Sequence, residues 1–271
     1  MYVQINEYLK QKLPRLHALL KGGVDRWRNS PAPLLPVLKR VRGEFLWVHP
    51  QVLTLDTQDA EPHVCRWILE SLRPGGTLFD VGAYCGWLSL KAARHVGRTG
   101  RVVAFEASPI LVDILKYHQR RNRVPQMTVV GTAVSDVNSE EATFHLLNGG
   151  LSSQSSLTIG RPGLPFLDSA RKTTVSVPSL TLDRYCRETG FTPDLIKIDV
   201  EGAELNVLRG ASEILEQRHP ILIVSLHPYW LPPAQTPADV FAFLAGHGYR
   251  VNDSHVMSVD GYQLGDYLLA V

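Results

Sequence analysis

The stretch Phe79-Asp80-Val81-Gly82-Ala83-Tyr84-Cys85-Gly86 constrains this chain more than any other. An apolar run ends there in a carboxylate, and two glycines follow before Trp87, Leu88 and Leu90 open a helical pattern. Leu78, Phe79 and Val81 suit a strand buried on both faces, while Gly82 and Gly86 admit backbone conformations and close approaches that a Cβ forbids. Strand, Gly-rich turn and helix in this order build the ligand-binding edge of a parallel α/β sheet.

Spacing discriminates between ligands. A dinucleotide fingerprint is G-x-G-x-x-G, and this chain has D-x-G-x-x-x-G, which counts against NAD. A second apolar strand, Arg101-Val102-Val103-Ala104-Phe105-Glu106, ends in an acid about 20 residues past the loop, the separation that brings a carboxylate to ribose hydroxyls in either cofactor. Asp80 tips the balance. A carboxylate at that strand end faces the cationic methionine part of S-adenosylmethionine, whereas beside a pyrophosphate it would repel. The plain alternative is an ordinary βαβ turn with a surface acid.

A chain of 271 residues, 44% hydrophobic and 20% charged, is enough for one large α/β domain and a short extra segment. The expected division is a basic, partly helical N-terminal extension over 1–58 and a main domain over 59–271. The net charge of +2 supplies no global reason to expect nucleic acid, but the charge is uneven. Over the first 43 residues, Lys10, Lys12, Arg15, Lys21, Arg26, Arg28, Lys39, Arg40 and Arg42 are set against Glu7 and Asp25 alone. Such a segment suits peripheral contact with an anionic membrane surface, an acidic glycan or nucleic acid, and equally a solvated helical extension. Residues 8–20 read as an amphipathic helix interrupted near Pro14. Cys65, Cys85 and Cys186 are odd in number and far apart, so neither a disulfide framework nor a zinc site is expected, and a reducing cytoplasm is. No apolar run approaches the length of a membrane span.

From about residue 60 onward, strand and helix alternate. A helix is expected from Pro62 with Val64, Ile68 and Leu72 on one face and Gly75-Gly76 as its stop. After Glu106, Ser108 can cap and Pro109 can open a helix burying Leu111, Ile114, Leu115 and His118. Met127 to Val134 is a third strand, Asp194 to Asp199 a fourth, and a helix through Leu205, Leu208, Ala211 and Leu215 leads to a fifth strand, Ile221 to Val224. A helix from Thr236-Pro237 and two short strands near Tyr249–Val251 and Tyr267–Val271 close the chain as an antiparallel hairpin. The expectation is a doubly wound, mainly parallel sheet.

Taken together, these motifs resemble the FkbM family of S-adenosylmethionine-dependent methyltransferases over roughly residues 59–230. The likeness is carried by Glu61-Pro62, Asp80-Val81-Gly82-Ala83 with Gly86, residues 96–102, Ala104-Phe105-Glu106 with Ser108-Pro109, Asn122, Ala133-Val134-Ser135-Asp136, and residues 196–204 from Ile196 to Glu204. The resemblance implies a Rossmann-like class I methyltransferase fold, a seven-stranded sheet with one reversed strand at its edge. It also implies O-methylation of a small molecule or glycan. It places cofactor contacts on Asp80, Gly82, Ala83, Gly86 and Glu106, with Ser135 and Asp136 against the adenine. A sugar hydroxyl or natural-product acceptor is the expected partner, and nucleic acid is not expected. Two other classes stay open: a scaffold that keeps the cofactor pocket without catalysis, and an NAD-dependent reductase.

Methyl transfer from a sulfonium is an in-line displacement that needs an oriented oxygen and, for an alcohol, a proton acceptor. Asp199 ends the fourth strand, Glu201 lies in the following turn and Glu204 in the first helical turn, where capping alone would explain it. Asp199 is the first candidate for the active site, Glu201 for orienting or deprotonating a hydroxyl, and His227 for an alternative base. The same three residues could bind a divalent metal, a reading that is possible and not favoured. The long connection over about 138–178, rich in Gly and Ser at Asn148 to Ser156 and carrying Arg161-Pro162-Gly163, is a lid candidate whose flanks, Ala142 to Leu147 and Thr173 to Val177, could pair. His227-Pro228-Tyr229-Trp230 is a candidate acceptor wall and equally a core segment.

Overall fold

A computed structural model describes residues 37–41, 43–53, 62–158, 172–259 and 262–271. The chain divides into two compact units, Met1–Ala60 and Glu61–Val271. The amphipathic helix expected over residues 8–20, Glu61 and Arg161-Pro162-Gly163 lie outside the described residues.

In the first unit, β1 (Val37–Val41) and β2 (Glu44–Val48) form an antiparallel hairpin that turns through Gly43 at φ +85°, with Leu38 opposite Trp47 and Arg40 opposite Phe45. Among the described residues of this unit, the helical element is one 3₁₀ turn, Pro50–Val52. Period-2 alternation explains the hairpin: Val41, Leu46 and Val48 are buried, while Leu38, Phe45 and Trp47 stand on the other face.

The second unit begins with α1 (Pro62–Ser71), which buries Val64, Trp67 and Ile68. It feeds β3 (Thr77–Val81), α2 (Trp87–Val96), β4 (Arg101–Glu106), α3 (Pro109–Arg121) and β5 (Met127–Gly131). The third strand is shorter than expected. At Thr132 the chain leaves the large sheet, and β6 (Ala133–Val134) pairs instead with β8 (Lys172–Leu180), which also pairs with β7 (Ser139–Leu147). The flanks of the long connection do meet, with Ala142 opposite Val177 and Leu147 opposite Lys172.

After α4 (Leu182–Thr189) and β9 (Leu195–Ile198), the single helix expected through Leu215 is two: α5 (Glu204–Arg209) and α6 (Ser212–Arg218). Gly210 separates them where a Cβ would stand 2.1 Å from the Ser135 carbonyl oxygen, so the break packs on the strand that left the sheet. β10 (Ile221–Leu226), α7 (Pro237–Gly246), β11 (Val251–Val259) and β12 (Tyr262–Ala270) complete the chain. Thr236 and Asp239 form a capping box at the start of α7.

The large sheet has seven strands in the order β11-β12-β10-β9-β3-β4-β5. β10, β9, β3, β4 and β5 run parallel, and β12 is antiparallel to both of its neighbours. The reversed strand thus stands one place in from the edge, because the hairpin folds back between β10 and β11. Strand order changes direction between β3 and β9, where an open α/β sheet leaves its crevice. Phe79, Phe105 and Tyr185 fix the core beneath that point, meeting edge to face with ring centroids 5.0–5.6 Å apart.

Candidate functional site

The crevice is lined by the loops that leave β3, β4, β9 and β10. Gly82 and Gly86 both adopt φ +78°, and the Gly82 and Ala83 amides donate to the Phe105 carbonyl at 3.0 Å. A Cβ on Gly82 would lie 1.8 Å from the Asp199 carbonyl oxygen, and one on Gly86 would lie 2.4 Å from Leu115. The loop therefore needs glycine at both positions, at the first because it lies directly on the acidic turn. Buried His118 holds the far end of the loop, with Nδ1 2.8 Å from the Cys85 carbonyl, which makes that nitrogen the donor.

Glu106 closes the loop from the side. Its carboxylate accepts from Tyr84 N at 2.9 Å and from Ser108 N at 2.8 Å. Burial raises its carboxyl to about 7, against the opposing pull of the Ser108, Tyr84 and Ala107 amides and the Lys197 charge. Ser108 does not cap α3 as expected. Its hydroxyl donates to the Gly150 carbonyl at 2.8 Å instead, and Pro109 supplies the first-turn geometry.

Asp80 was expected to face the ligand. The structure sets its carboxylate beneath the loop at 1% exposure, accepting from Ser89 Oγ at 2.5 Å and lying 3.4 Å from Lys197 Nζ. Lys197 Nζ also lies 3.2 Å from Asp199 and donates to the Gly82 carbonyl at 3.2 Å. Lys197 was missed by the sequence reading; its signal was a cation inside an otherwise apolar strand, two residues before Asp199 and so on the same face. It joins the end of β3, the glycine loop and the acidic turn.

The three catalytic candidates do converge. Asp199, Glu201 and His227 bring one donor atom each to within 4.8 Å of one another. His227 Nε2 lies 3.7 Å from Asp199 Oδ1 and 3.7 Å from Glu201 Oε2, and Nδ1 lies 2.9 Å from Glu204 Oε1. The turn is tight, with Glu201 at φ +53° and Gly202 at φ +101°, where a Cβ would meet the Trp230 carbonyl at 2.1 Å. Left-handed backbone at a non-glycine residue is characteristic of sites that hold a side chain in place. Burial alone would lower the imidazole pKa, but Glu201, Glu204 and Asp199 outweigh it and raise His227 to about 10.

Ser135 and Asp136 are not brought to this crevice. Asp136 Oδ1 accepts from Ser135 Oγ and from Asn206 Nδ2 at 3.0 Å, and Ser135 N donates to the Leu180 carbonyl. Their contacts are with α5 and β8. The third strand ends before this pair, and the residue that the sheet register sets beside Glu106 is Gly131.

Residues 148–158 run across the loops. Tyr84 Oη donates to the Leu151 carbonyl at 3.1 Å, Ser156 Oγ to Val200 O at 2.8 Å, and Thr158 Oγ1 contacts Glu201 O at 3.1 Å and Trp230 O at 3.2 Å. With Ser108 on Gly150, one segment touches all four loop regions. Trp230 packs with Leu147 and Tyr229, so this part of the expected aromatic wall is core.

A doubly wound sheet with a reversed strand inserted next to its edge, a glycine loop after the first strand of the switch point and a carboxylate ending the next defines a Rossmann-like class I methyltransferase fold. The methyltransferase FkbM domain model matches residues 80–251, and the chain belongs to that family. It is 28% identical over 205 residues to the 31-O-demethyl-FK506 methyltransferase FkbM of Streptomyces tacrolimicus, covering 66% of this chain and 75% of that protein. A ribosomal protein L11 methyltransferase of Cupriavidus necator is 26% identical over 129 residues, 47% of this chain; the chain spans 40% of that relative's length. The crystal structure of methyltransferase FkbM from Methylobacillus flagellatus KT overlays with a TM-score of 0.48 at 20% identity, covering 75% of this chain and 50% of that one. Among the described residues, no helix is long and apolar enough to cross a membrane.

Proposed function

We propose that this chain transfers the methyl group of S-adenosylmethionine to a hydroxyl oxygen of a sugar, glycan or natural-product acceptor. The observation that carries the reading is the packing of Gly82 on the Asp199 carbonyl, which sets a cofactor loop and a cluster of proton-accepting groups edge to edge. The cofactor's chemistry fits the residues present. Glu106 is a buried carboxylate at the end of β4, and a carboxylate has acceptor capacity beyond the amides it already binds for two ribose hydroxyls. Gly82, Ala83 and Gly86 leave room for close approach, and Asp80 acts through Lys197 and Ser89 by holding the loop. When bound, the cofactor supplies an electrophilic methyl group on a sulfonium.

The chain's own task is then to orient an oxygen and take its proton. Asp199 or Glu201 accepts the acceptor's proton, and His227, with Nε2 3.7 Å from each of them, holds the two carboxylates to one side of the crevice. Residues 148–158 act as the lid that keeps water from the crevice. An oxygen acceptor is supported by the printed name of the Streptomyces relative, which denotes methylation of an O-demethyl compound. Calorimetric titration with S-adenosylmethionine, its demethylated product and NAD tests the cofactor, and a gain of one methyl mass in an acceptor panel tests transfer. Binding of NAD in place of S-adenosylmethionine refutes the reading. Cofactor binding without transfer to any acceptor, unchanged on Asp199→Asn and Glu201→Gln, turns it into the scaffold alternative.

A further inference from the structure

We propose that Asp199, Glu201 and His227 form a binding site for a first-row divalent cation of the manganese or zinc type, with Glu204 positioning the imidazole. The donor atoms converge from two adjacent strand ends and a turn, all within 4.8 Å. The two separations from the imidazole are close to those of ligands about an ion. Bonds of about 2.1 Å meeting at about 110–120° separate two donor atoms by about 3.4–3.6 Å, and His227 Nε2 stands 3.7 Å from each carboxylate oxygen.

A second observation concerns the imidazole alone. His227 is 9% exposed, its Nδ1 is committed to Glu204 at 2.9 Å, and its Nε2 makes no hydrogen bond among the described residues. At 3.7 Å both carboxylates stand beyond hydrogen-bonding reach of Nε2, so the nitrogen lies between two carboxylate oxygens and bonds neither. Fully buried Glu204 sits behind the ring in the position of the carboxylate that orients a metal-bound histidine. Gly202 N donates to the same Glu204 oxygen at 2.9 Å and fixes it. One nitrogen and two carboxylates suit manganese or zinc better than magnesium, which prefers oxygen alone.

The site stands on its own geometry, while its chemical role rests on the methyl-transfer reading above. A cation there lowers the pKa of an adjacent acceptor hydroxyl. The proton passes to the outer oxygen of Asp199, the acceptor oxygen forms a bond to the methyl carbon, and the carbon–sulfur bond breaks with its electron pair remaining on sulfur.

The test uses the full chain stripped with EDTA and dialysed, titrated calorimetrically with manganese chloride and with zinc chloride, and separately with S-adenosylmethionine. The expected result is one cation per chain at micromolar affinity, weakened at least about 10-fold to 100-fold in His227→Gln, Glu201→Gln and Glu204→Gln. Spin resonance of bound manganese should lose its protein-bound signal in the same variants. Asp199→Asn, the most exposed of the ligands, carries the same expectation if a variant at a buried position does not fold. No binding at millimolar cation, or equal binding by these variants, overturns the site. Cation binding without cofactor binding leaves the site and refutes the methyltransferase role; cofactor binding without cation binding does the reverse.

Discussion

Replacing Lys197 by Met removes one charge and keeps most of the buried aliphatic stem, so it isolates what that charge does. Nζ lies 3.4 Å from Asp80 and 3.2 Å from Asp199. Two unit charges at such a distance attract by about 5 kcal/mol at an effective dielectric constant of about 20. Desolvation of all the partners opposes that attraction, so the pairs add little to net stability as they stand. Removing one partner is another matter, because the carboxylate left behind stays buried and uncompensated, at a cost of about 3–5 kcal/mol. Asp80, at 1% exposure, bears most of this, since Asp199 still reaches water. For a domain of this size, each kcal/mol is about 2–4 °C in Tm, so Lys197→Met should melt about 6–20 °C below the parent. Calorimetry and urea unfolding followed by circular dichroism measure it. The double variant Lys197→Met with Asp80→Asn should recover at least half of the loss, because the orphaned charge is gone. A single variant within about 1 kcal/mol of the parent, or a double variant as unstable as the sum of its parts, refutes the reasoning.

Three further outcomes are expected. Gly82→Ala should abolish S-adenosylmethionine binding in calorimetry, since its Cβ would sit 1.8 Å from backbone, whereas Gly190→Ala, with φ +71° and nothing within 4 Å, should lose only about 1–2 kcal/mol in urea unfolding from the left-handed strain. Tyr84→Phe removes the hydroxyl on Leu151, so amide exchange over residues 148–158 should quicken about fivefold, the equivalent of about 1 kcal/mol, with global stability changed by no more than that. Glu106 binds a proton in the fold that it releases when unfolded over the interval from 4.5 to about 7. Its contribution to stability is therefore full below the lower value and is lost as pH rises through the upper one, by about 3 kcal/mol. Glu106→Gln should flatten that part of a Tm-against-pH curve, and an unchanged slope would exclude the carboxyl as its source. Because ribose hydroxyls favour the charged form, cofactor affinity of the parent should tighten as pH rises towards about 8.

The large sheet was legible because its signals are local. Leu78 to Val81 and Val102 to Phe105 are apolar runs closed by an acid, and neither strand requires knowledge of the other to be recognised. The same local reading failed at three places where a distant residue decides. Met127 to Val134 looks like one strand, yet it divides at Thr132 because Ala133 and Val134 find partners in β8, more than 40 residues along the chain, where Thr132 Oγ1 also reaches the Pro178 carbonyl. Gly210 splits an apparently continuous helix for the sake of the Ser135 carbonyl. Ser108 resembles an N-cap in sequence, and its hydroxyl goes to Gly150 instead.

The site divides along the same line. Asp199, Glu201 and Glu204 were visible as an acidic run after a strand, but their separate roles depend on His227, which arrives from the adjacent strand to pair with Glu204 and face the other two. Glu204 alone reads as a helix-capping acid; with His227 it becomes the group that sets which ring nitrogen points at Asp199 and Glu201. Lys197 was the larger omission, and its consequence is mechanical. It bonds the Gly82 carbonyl while pairing with Asp80 and Asp199, so the glycine loop and the acidic turn are held by one side chain. Gly82, packed on the Asp199 carbonyl, leaves no slack between them. A shift of either loop must therefore move the other, and a substitution confined to the glycine loop should disturb the acidic turn as much as it disturbs the cofactor.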